Sequence, residues 1–373
     1  MNNSNATDGL NGSSPIPAPL QPLTEQGKWQ QVIYVFLYLA EVAIAITALV
    51  GNLLVVYAFI SYKKLRTSVT NYFVISLAVS DILTSGLVTT FKLDATIKNN
   101  HWTHGEFMCS LYTTMYLLAV PSSVINLCAV TVDRYLVLRM PLRYNSLMPS
   151  RRAVLIIGGL WTYAIIWACL PLMGWKIDYP VLANGYCYFV CTREYNVTVN
   201  IVNFLLPMIF MAVFWSFIYR IVLRHLQRVM RMEKDLSLNT NDSSNSSNIN
   251  CIGQATPMSY LALPKNEIKE KKKMQQNVRG SRYIGFIVVL FYFCWLPYVT
   301  ISLIGNLCRS CDKQRMIPYV LYDVFLALGF LNSALNPFLY PFHDKHFKKA
   351  FKDMWKKMRS KTMLKNLCTR DKV

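Results

Sequence analysis

The sequence predicts an all-α membrane protein, a bundle of seven transmembrane helices followed by a short cytoplasmic amphipathic helix. Long apolar runs, few charges within them, and unevenly distributed basic residues between them lead to this prediction. The chain is 53% hydrophobic and yet has a formal net charge of +20, a combination seldom found in a soluble domain of this size. Each run reaches or exceeds the ~20 residues that cross about 30 Å of hydrocarbon. The runs are roughly 33–61, 71–93, 108–132, 153–174, 197–219, 284–307 and 317–342.

Charges inside these runs are rare. Together the runs contain four charged side chains: Glu41, Asp81, Lys92 and Asp323. Seven such runs far exceed the core helices of a soluble protein, which argues against a large soluble helical fold. A channel or transporter would need a polar lining or paired repeats with broken helices, and the pattern contains neither. The five histidines lie in loops or at span ends, so we expect no enzyme.

Basic residues orient the bundle. Alternate segments outside the runs contain 7 and 31 lysines and arginines, and the basic side of a membrane protein faces the cytoplasm. We therefore expect a multi-pass plasma-membrane protein with an extracellular N-terminus and a cytoplasmic C-terminus. The cytoplasmic excess would attract anionic membrane lipid and an acidic cytosolic partner. No nucleic-acid partner is expected, because these residues are dispersed over four segments under a membrane.

The chain divides into an extracellular arm, the bundle and a basic cytoplasmic tail. The arm contains three Asn-x-Ser/Thr glycosylation acceptors. A Ser/Asn-rich loop at about 229–276 interrupts the bundle, and its low complexity predicts disorder. In the tail, His346 to Lys357 is basic and amphipathic. Arm, bundle and tail are residues 1–29, 30–342 and 343–373, and the acceptors are Asn2, Asn5 and Asn11.

Five cysteines lie on the side predicted to be oxidising, where disulfides form. Cys109 opens the third span, and Cys187 and Cys191 lie in the loop before the fifth. A bridge from Cys109 to either one would hold that loop across the mouth of the bundle. Cys308 and Cys311 are three residues apart in the last outer loop, where a short local disulfide is expected. A CxxC zinc half-site is the alternative, but no second ligand pair accompanies it.

Two acidic positions require an explanation within the membrane. An uncharged run, Met108 to Val132, is followed directly by Asp133, Arg134 and Tyr135. A charged pair at the end of a span is costly unless it is paired or functional, and Asp81, near mid-span, needs partners for the same reason. Snorkelling of the pair to the interface is the simpler alternative.

Seven motifs, each in its proper span, together resemble a rhodopsin-like (class A) G-protein-coupled receptor. The resemblance covers almost the whole bundle. The sequences of the motifs are most similar to those of dopamine-like amine receptors and of adenosine receptors. The motifs are GNLLVVY with Asn52, SLAVSD with Asp81, DRY with Arg134, Trp161, Pro207, FYFCWLP with Phe291, Trp295 and Pro297, and NSALNPFLY with Asn336, Pro337 and Tyr340.

The resemblance implies how such a bundle signals. Asp133 would hold Arg134 at rest, and outward movement of the sixth span would free Arg134 for a heterotrimeric G protein. Arrestin and receptor kinases are further expected partners. Proline removes a helical hydrogen bond and kinks the span, so Pro297 would be the hinge. The coupling and activation residues are Asp133, Arg134, Tyr135, Pro141, Leu142, Phe291, Trp295, Pro297, Asn336, Pro337 and Tyr340.

No cofactor is expected apart from a sodium ion that the resemblance implies at Asp81. A set of oxygen ligands suits a hard cation. A purely structural hydrogen-bond network around the same carboxylate is the alternative. The implied ligands are Asp81, Ser123, Asn332, Ser333 and Asn336.

The resemblance places a ligand pocket with aromatic walls between the spans. Tyr116 stands where amine receptors have an aspartate for the ligand ammonium. Asp323 is a displaced anchor for an amine, and Lys92 could pair with an acidic ligand or snorkel to the headgroups. Asn200 and Asn203 share a helix face and could bond to the ligand or to a neighbouring helix. The pocket set is Tyr116, Val120, Phe189, Asn200, Asn203, Trp295, Tyr298, Val299, Leu326, Phe330, Lys92 and Asp323. Pairing of Cys109 with Cys187 is favoured, because it places Phe189 where relatives have an aromatic lid.

Two departures from the family pattern bear on basal activity. Trp215 replaces a tyrosine, and Asn277 replaces a glutamate that many relatives use to hold the arginine. Raised basal signalling is the expectation. The predicted function is a receptor that passes an extracellular small-molecule signal to G proteins. The alternatives are a constitutively active receptor that requires no ligand, and an amine receptor anchored at a displaced acid such as Asp323.

Overall fold

The computed structural model describes residues 25–98, 100–244, 265–308, 319–343 and 345–370. Within these residues, seven helices are long and apolar enough to cross a membrane, which confirms the predicted fold class. The first four are α1 (Glu25–Ser61), α2 (Val69–Leu83 and Thr90–Ile97, joined by a π-helical turn at Thr84–Thr89), α3 (Gly105–Arg139) and α4 (Ser150–Cys169). The others are α5 (Arg193–Asn200 and Leu206–Ser244, joined by a π-helical turn at Ile201–Leu205), α6 (Lys265–Leu307) and α7 (Tyr319–His343).

Shorter elements connect or follow the spans. A 3₁₀ helix, Lys63–Thr67, follows α1, and a single helical turn, Tyr144–Leu147, follows α3. Strands β1 (Leu182–Ala183) and β2 (Tyr186–Cys187) form an antiparallel hairpin before α5. Helix α8 (Lys345–Arg370) comes after α7.

Helix α3 is the centre of the bundle, since it contacts α2, α4, α5 and α6. Helix α1 packs against α2 and α7, and α7 packs against α6. Cys109 and Arg134 lie near opposite ends of α3. We therefore name the two ends of the bundle the Cys109 end and the Arg134 end.

Gly51 allows α1 and α7 to approach closely. A Cβ atom at this position would lie 2.8 Å from Cγ of Pro337, a separation that real Cβ contacts do not reach. The next residue, Asn52, donates hydrogen bonds to the Ala48 carbonyl at 2.8 Å and to the Ser333 carbonyl at 3.0 Å. The close packing of Gly51 on Pro337 and the hydrogen bond from Asn52 to Ser333 together fix the backbone of α7 beside α1.

The loop between α4 and α5 folds over the Cys109 end as a hairpin. Asn184 and Gly185, with φ of 50° and 79°, form its two-residue turn, because such tight turns need positive φ at both positions. Cys187 of β2 is joined to Cys109 of α3 across 78 residues, which confirms this predicted pairing. Cys191 is a free thiol, and burial raises its pKa to about 12.

Helix α8 is amphipathic, as predicted, and longer than the predicted stretch. Phe347, Ala350 and Met354 are buried on one side, and the lysines between them are exposed. The Phe347 ring lies 5.9 Å from that of Tyr340, so the buried face holds α8 against the end of α7.

The predicted loop at about 229–276 is shorter than expected, because α5 continues to Ser244 and α6 begins at Lys265. Lysine, glutamate and glutamine are good helix formers in water, which accounts for helical turns beyond the apolar runs. The acceptors Asn2, Asn5 and Asn11 lie outside the described residues, as does Cys311. Cys308 is disulfide-bonded, and its predicted pairing with Cys311 stays a prediction.

Candidate functional site

The Arg134 end contains a buried ion pair between neighbours on α3. Nη2 of Arg134 lies 2.5 Å from Oδ2 of Asp133, and the two residues are 6% and 0% exposed. Thr70 donates a hydrogen bond to Asp133 Oδ2 at 2.7 Å, and Tyr144 donates one to Oδ1 at 2.5 Å. A buried ion pair is tolerated when hydrogen bonds satisfy its remaining atoms. The geometry therefore holds Arg134 inside the bundle, and snorkelling of the pair is wrong.

The segment after α3 supports this pair and presents an apolar contact. Burial, and then the adjacent Asp133 carboxylate, raise the pKa of Tyr144, so its hydroxyl remains a donor at physiological pH. Pro141 is partly exposed, and Leu142 is 81% exposed. Leu142 is thus an exposed apolar side chain two residues before Tyr144, which contacts Asp133.

Tyr135 faces α5 rather than the ion pair. Its ring lies 5.4 Å from Phe214 in an edge-on arrangement, and 6.2 Å from Phe217. On the same side, Trp215 packs against a second apolar cluster formed with Leu138. Asp133 thus connects α3 to α2 through Thr70, and Tyr135 connects α3 to α5. Arg134 pairs with Asp133 within α3.

A polar cluster surrounds Asp81, which is fully buried. Ser333 donates to Oδ1 at 2.7 Å, Ser123 to Oδ1 at 3.4 Å, and Asn336 to Oδ2 at 2.8 Å. The structure brings four of the five predicted ligands together. Asn332 is buried as well, but among the described residues it has no hydrogen bond to Asp81.

The oxygen atoms of this cluster fit a hard monovalent cation as ligands. The carboxylate and the two serine hydroxyls supply oxygen atoms, the type that such ions bind. Asn336 presents its amide nitrogen to Asp81, so its side chain would need to turn before its oxygen could face an ion. Among the described residues, no group of three or more His, Cys, Asp or Glu side chains could hold a metal.

Trp295 lies at the base of the aromatic region in the middle of the bundle. Trp295 and Phe291 are 3% and 0% exposed. The indole lies 5.5 Å from the Phe204 ring of α5 and against Gly329 of α7, where a Cβ would lie 3.0 Å from it. Pro297 follows within α6. Trp295 therefore contacts α5 and α7 just beside the predicted hinge.

On the Cys109 side of Trp295, a group of aromatic side chains joins α3, α6 and the loop between α4 and α5. Tyr116 donates a hydrogen bond to the hydroxyl of Tyr298 at 3.1 Å. Phe189 packs edge-on against Tyr116 at 5.3 Å and against Tyr112 at 5.6 Å. Of the other predicted pocket residues, Val120, Val299 and Phe330 are buried, and Leu326 packs on the same core.

Both predicted asparagines of α5 bond to neighbouring helices. Asn200 donates to Ser302 of α6 at 3.1 Å, and Asn203 accepts from Tyr163 of α4 at 2.8 Å. The amide nitrogen of Asn203 is buried without a hydrogen-bond partner among the described residues. Asn203 lies in the π-helical turn of α5, a feature frequent at functional sites.

A charged triad lies nearer the Cys109 end, between α1, α2 and α7. Lys92 Nζ lies 2.5 Å from Glu41 Oε1 and 3.7 Å from Asp323 Oδ1. The Glu41, Lys92 and Asp323 side chains are 5%, 15% and 43% exposed. Snorkelling of Lys92 to the headgroups is therefore wrong. An acidic ligand would have to compete with both carboxylates for its ammonium.

Comparison with known proteins decides the family. Residues 51–340 match the family model described as 7 transmembrane receptor (rhodopsin family). The chain belongs to the rhodopsin family of seven-transmembrane receptors. It is therefore a multi-pass membrane receptor and not an enzyme, and the resemblance seen in its motifs is confirmed.

Several dopamine receptors are similar to this rhodopsin-family receptor. The D(1A) dopamine receptor of Xenopus laevis is 30% identical over 312 residues, 79% of this chain and 67% of that relative. The D(1)-like dopamine receptor of Takifugu rubripes is 30% identical over 79% of this chain and 64% of its own length. The D(1) dopamine receptor of Carassius auratus is 29% identical over 79% and 81% respectively. These relatives agree with the predicted likeness to dopamine-like receptors.

The sequence left some functional contacts of the receptor unpredicted. Thr70 and Tyr144 complete the partners of Asp133, but each comes from another element, and neither has a periodicity that marks it. Glu41 was detectable as one of four charges in the spans, because such a charge needs a partner. Its pairing with Lys92 follows only from the packing of α1 against α2.

Proposed function

We propose that this receptor transduces an extracellular small-molecule signal to heterotrimeric G proteins at the plasma membrane. The N-terminus is extracellular and the C-terminus cytoplasmic in this proposal, following the excess of lysine and arginine on one side. A ligand bound near Trp295 biases the bend at Pro297, and α6 moves outward at the Arg134 end. Arrestin and receptor kinases then act on the same cytoplasmic surface.

The buried pair of Arg134 and Asp133 is the observation that carries this proposal. A guanidinium buried with its carboxylate costs free energy to release, so it stays internal until other contacts replace the pair. Opening of α6 would expose it to a partner's carbonyl and carboxylate groups, which a guanidinium binds well. Leu142, which is exposed in the segment that follows α3, would add an apolar contact for the same partner.

The ligand side of the proposal depends on the aromatic group above Trp295. Tyr116, Tyr298 and Phe189 contact one another through a hydrogen bond and an edge-on ring contact. Trp295 lies 6.1 Å from Tyr298 by ring centroids. A ligand that displaces these rings would therefore act on Trp295 directly, and in this proposal the remaining predicted pocket residues contribute to the same pocket.

We further propose that the polar cluster of Asp81, Ser123, Ser333 and Asn336 binds sodium in the resting receptor. The oxygen atoms present suit the ion. Compression of the cluster during activation would exclude it. Asn332 stays a proposed ligand through a change of side-chain rotamer.

G-protein activation in cells tests the function. The receptor is expressed with reporters for several G-protein classes, and the signal is compared with that of Arg134→Ala. We expect this substitution to abolish receptor-dependent signalling, because the cation that faces the partner is gone. Surface expression is measured for each variant.

Arg139→Ala is the matched control, since Arg139 lies in the last turn of α3 and is exposed. It should leave the signal within about twofold, because an exposed charge contributes little. Equal signals from wild type and Arg134→Ala would overturn the proposal.

Signalling without a ligand is the second candidate. Arg134 forms its salt bridge within α3, with Asp133, and Asn277 stands where many relatives have a glutamate that holds the arginine. A resting state held by one helix alone is easier to open than one that also links α3 to α6. A basal signal that needs Arg134, and that no added compound changes, would favour this candidate.

A further inference from the structure

We propose that a cavity between α3, the end of α4 and the loop before α5 binds a small zwitterion, an α-amino acid with an aliphatic side chain. It is a second site, next to the aromatic group proposed to receive the signalling ligand. Binding at this site is independent of the proposed function, whereas its expected effect on signalling rests on that function.

The size of the cavity limits the ligand. Its volume is about 160 Å³. Pockets for drug-sized molecules have volumes of ~300 Å³ or more, so this cavity suits a smaller molecule, on the scale of a single amino acid. Its lining residues include Glu106, Ser110 and Leu117 of α3, Ala168 of α4, and Lys176 and Phe189 of the loop.

Two charged side chains of opposite sign line the cavity. Glu106 lies in the first turn of α3, and Lys176 lies in the loop after α4. Both residues are exposed, and among the described residues neither forms a salt bridge with the other or with a third group. An ion of one sign would be attracted by one residue and repelled by the other. A zwitterion gains from both, with its ammonium at Glu106 and its carboxylate at Lys176.

The more buried part of the lining combines hydroxyl groups with apolar surface. Thr113 donates its hydroxyl to the Ser110 carbonyl at 3.1 Å within α3. Within the described part of the chain, the hydroxyls of Ser110 and Thr114 have no hydrogen-bond partner, so they can bond to the charged groups of a ligand. Leu117 and Ala168 are 9% and 2% exposed. Such apolar surface favours an aliphatic side chain over a polar one.

The loop side of the cavity is held in place before a ligand binds. Lys176 pairs with Cys191 in an antiparallel bridge, and the backbone N–H of Ile177 donates to the Val190 carbonyl at 2.9 Å. The disulfide at Cys109 ties the same loop to α3, the helix that forms the opposite wall. A site fixed in this way loses less entropy on binding, which allows a small molecule with few contacts to bind.

Phe189 connects the cavity to the aromatic group. It lines the cavity and packs edge-on against Tyr112 and Tyr116. The cavity is present while Arg134 is paired with Asp133. Because a ligand shifts the population toward the conformation that it binds, the amino acid should favour the resting receptor.

Thermal unfolding of the purified full-length receptor in detergent tests the binding. The probe is L-valine, and three derivatives remove one or both of its charges: valinamide is a cation, N-acetylvaline an anion and N-acetylvalinamide neutral. We expect only L-valine to raise the melting temperature, because a ligand stabilises the folded state to which it binds. An equal rise with any derivative, or no rise with L-valine, would overturn the proposed site.

Charge variants of the two residues test how the ligand is held. Glu106→Gln and Lys176→Gln should each raise the apparent dissociation constant of L-valine by about threefold or more, since an ion pair in contact with water is of modest strength. Lys176→Glu should lose L-valine and respond to 1,3-diaminopropane, because two carboxylates then line the cavity. Combining it with Glu106→Lys should restore L-valine.

Glu194→Gln is the matched control. Glu194 is exposed in the first turn of α5 and does not line the cavity, so this variant should bind L-valine as wild type does. Wild-type affinity in both Glu106→Gln and Lys176→Gln would contradict the assignment of the charges.

Signalling in cells tests the preference for the resting receptor. In buffer free of amino acids, L-valine should lower the Arg134-dependent signal, N-acetylvalinamide should not, and Lys176→Gln should reduce the effect. An unchanged or higher signal, at concentrations that stabilise the purified receptor, would refute this preference. Signalling that is indifferent to Arg134→Ala would overturn the proposed function instead and leave the binding measurements as they are.

Discussion

Asp81 lies in the middle of α2, and its carboxylate accepts three hydrogen bonds from Ser123, Ser333 and Asn336. A buried carboxylate remains charged only when such donors offset its lost hydration. Asp133 has an equivalent arrangement, but its cation, Arg134, belongs to the chain. The difference at the residue scale is that, among the described residues, no basic side chain forms a salt bridge with Asp81, and the proposed sodium ion would supply the missing positive charge.

Removal of the Asp81 charge should remove the sodium dependence of stability. Purified receptor in detergent should melt at a higher temperature in sodium chloride than in N-methylglucamine chloride. Sodium at ten times its dissociation constant would stabilise the folded state by about 1.4 kcal/mol. In Asp81→Asn the difference between the two salts should disappear, because the neutral amide no longer attracts the ion.

Neighbouring serines provide the control for this measurement. Ser123→Ala should reduce the sodium effect, since Ser123 contacts Asp81. Ser122→Ala should retain it, because Ser122 donates to the Ala119 carbonyl instead. A sodium effect of wild-type size in Asp81→Asn would place the ion elsewhere.

At the scale of elements, the contact of α5 with α6 depends on one large and one very small residue. A Cβ atom at Gly285 would lie 2.9 Å from the Trp215 ring, so the indole fills the space of the missing side chain. The indole nitrogen is buried without a hydrogen-bond partner among the described residues. Trp215 therefore acts here as a packing residue, and α5 and α6 lie close together because Gly285 permits it.

Gly285→Ala should push α6 away from α5 at the Arg134 end. The added methyl group forces a displacement of a few tenths of an ångström or more, and overpacking of this kind costs about 1–3 kcal/mol. We expect a higher basal signal that still needs Arg134, together with a lower melting temperature. G-protein reporters and thermal unfolding measure the two effects.

A double substitution separates packing from helix propensity. Trp215→Phe combined with Gly285→Ala should return the basal signal toward wild type, since the smaller ring leaves room for the methyl group. Gly159→Ala serves as the control, because a Cβ there meets nothing within 4 Å. An unchanged basal signal in Gly285→Ala would show that α6 does not respond to this contact.

At the scale of the whole molecule, the two ends of the bundle differ in what they can bind. The Cys109 end has a hairpin pinned by the disulfide to Cys187 and a charged triad around Lys92. The Arg134 end has a buried guanidinium and the exposed side chain of Leu142. Signal transfer between these ends requires them to face opposite sides of one membrane.

Epitope accessibility tests that orientation. An N-terminal tag should bind antibody on intact cells, and a C-terminal tag should bind only after permeabilisation, because basic segments remain cytoplasmic. Treatment with an N-glycosidase should also increase the mobility of the protein if Asn2, Asn5 or Asn11 is modified. Both tags accessible on the same side would contradict the proposed topology.

The spans, their order and the family could be predicted from sequence because each depends on local information. Hydrocarbon thickness sets the length of an apolar run, so the run that contains Asp81, and the run that Asp133 follows, each predict a helix without knowledge of the neighbouring helices. Motif order then indicated the rhodopsin family. The predicted loop at about 229–276 was too long, since helix propensity extends α5 and α6 beyond their apolar runs.

The sequence alone determined that this protein is a seven-helix membrane receptor with Arg134 at one end of its third span. Only the tertiary structure decided which side chains meet: Thr70 and Tyr144 at Asp133, and Glu41 and Asp323 at Lys92. Hydropathy acts along the chain and can be read residue by residue. Contacts between charges depend on distances of 2.5 to 3.7 Å across helices, and those distances arise only when the helices pack.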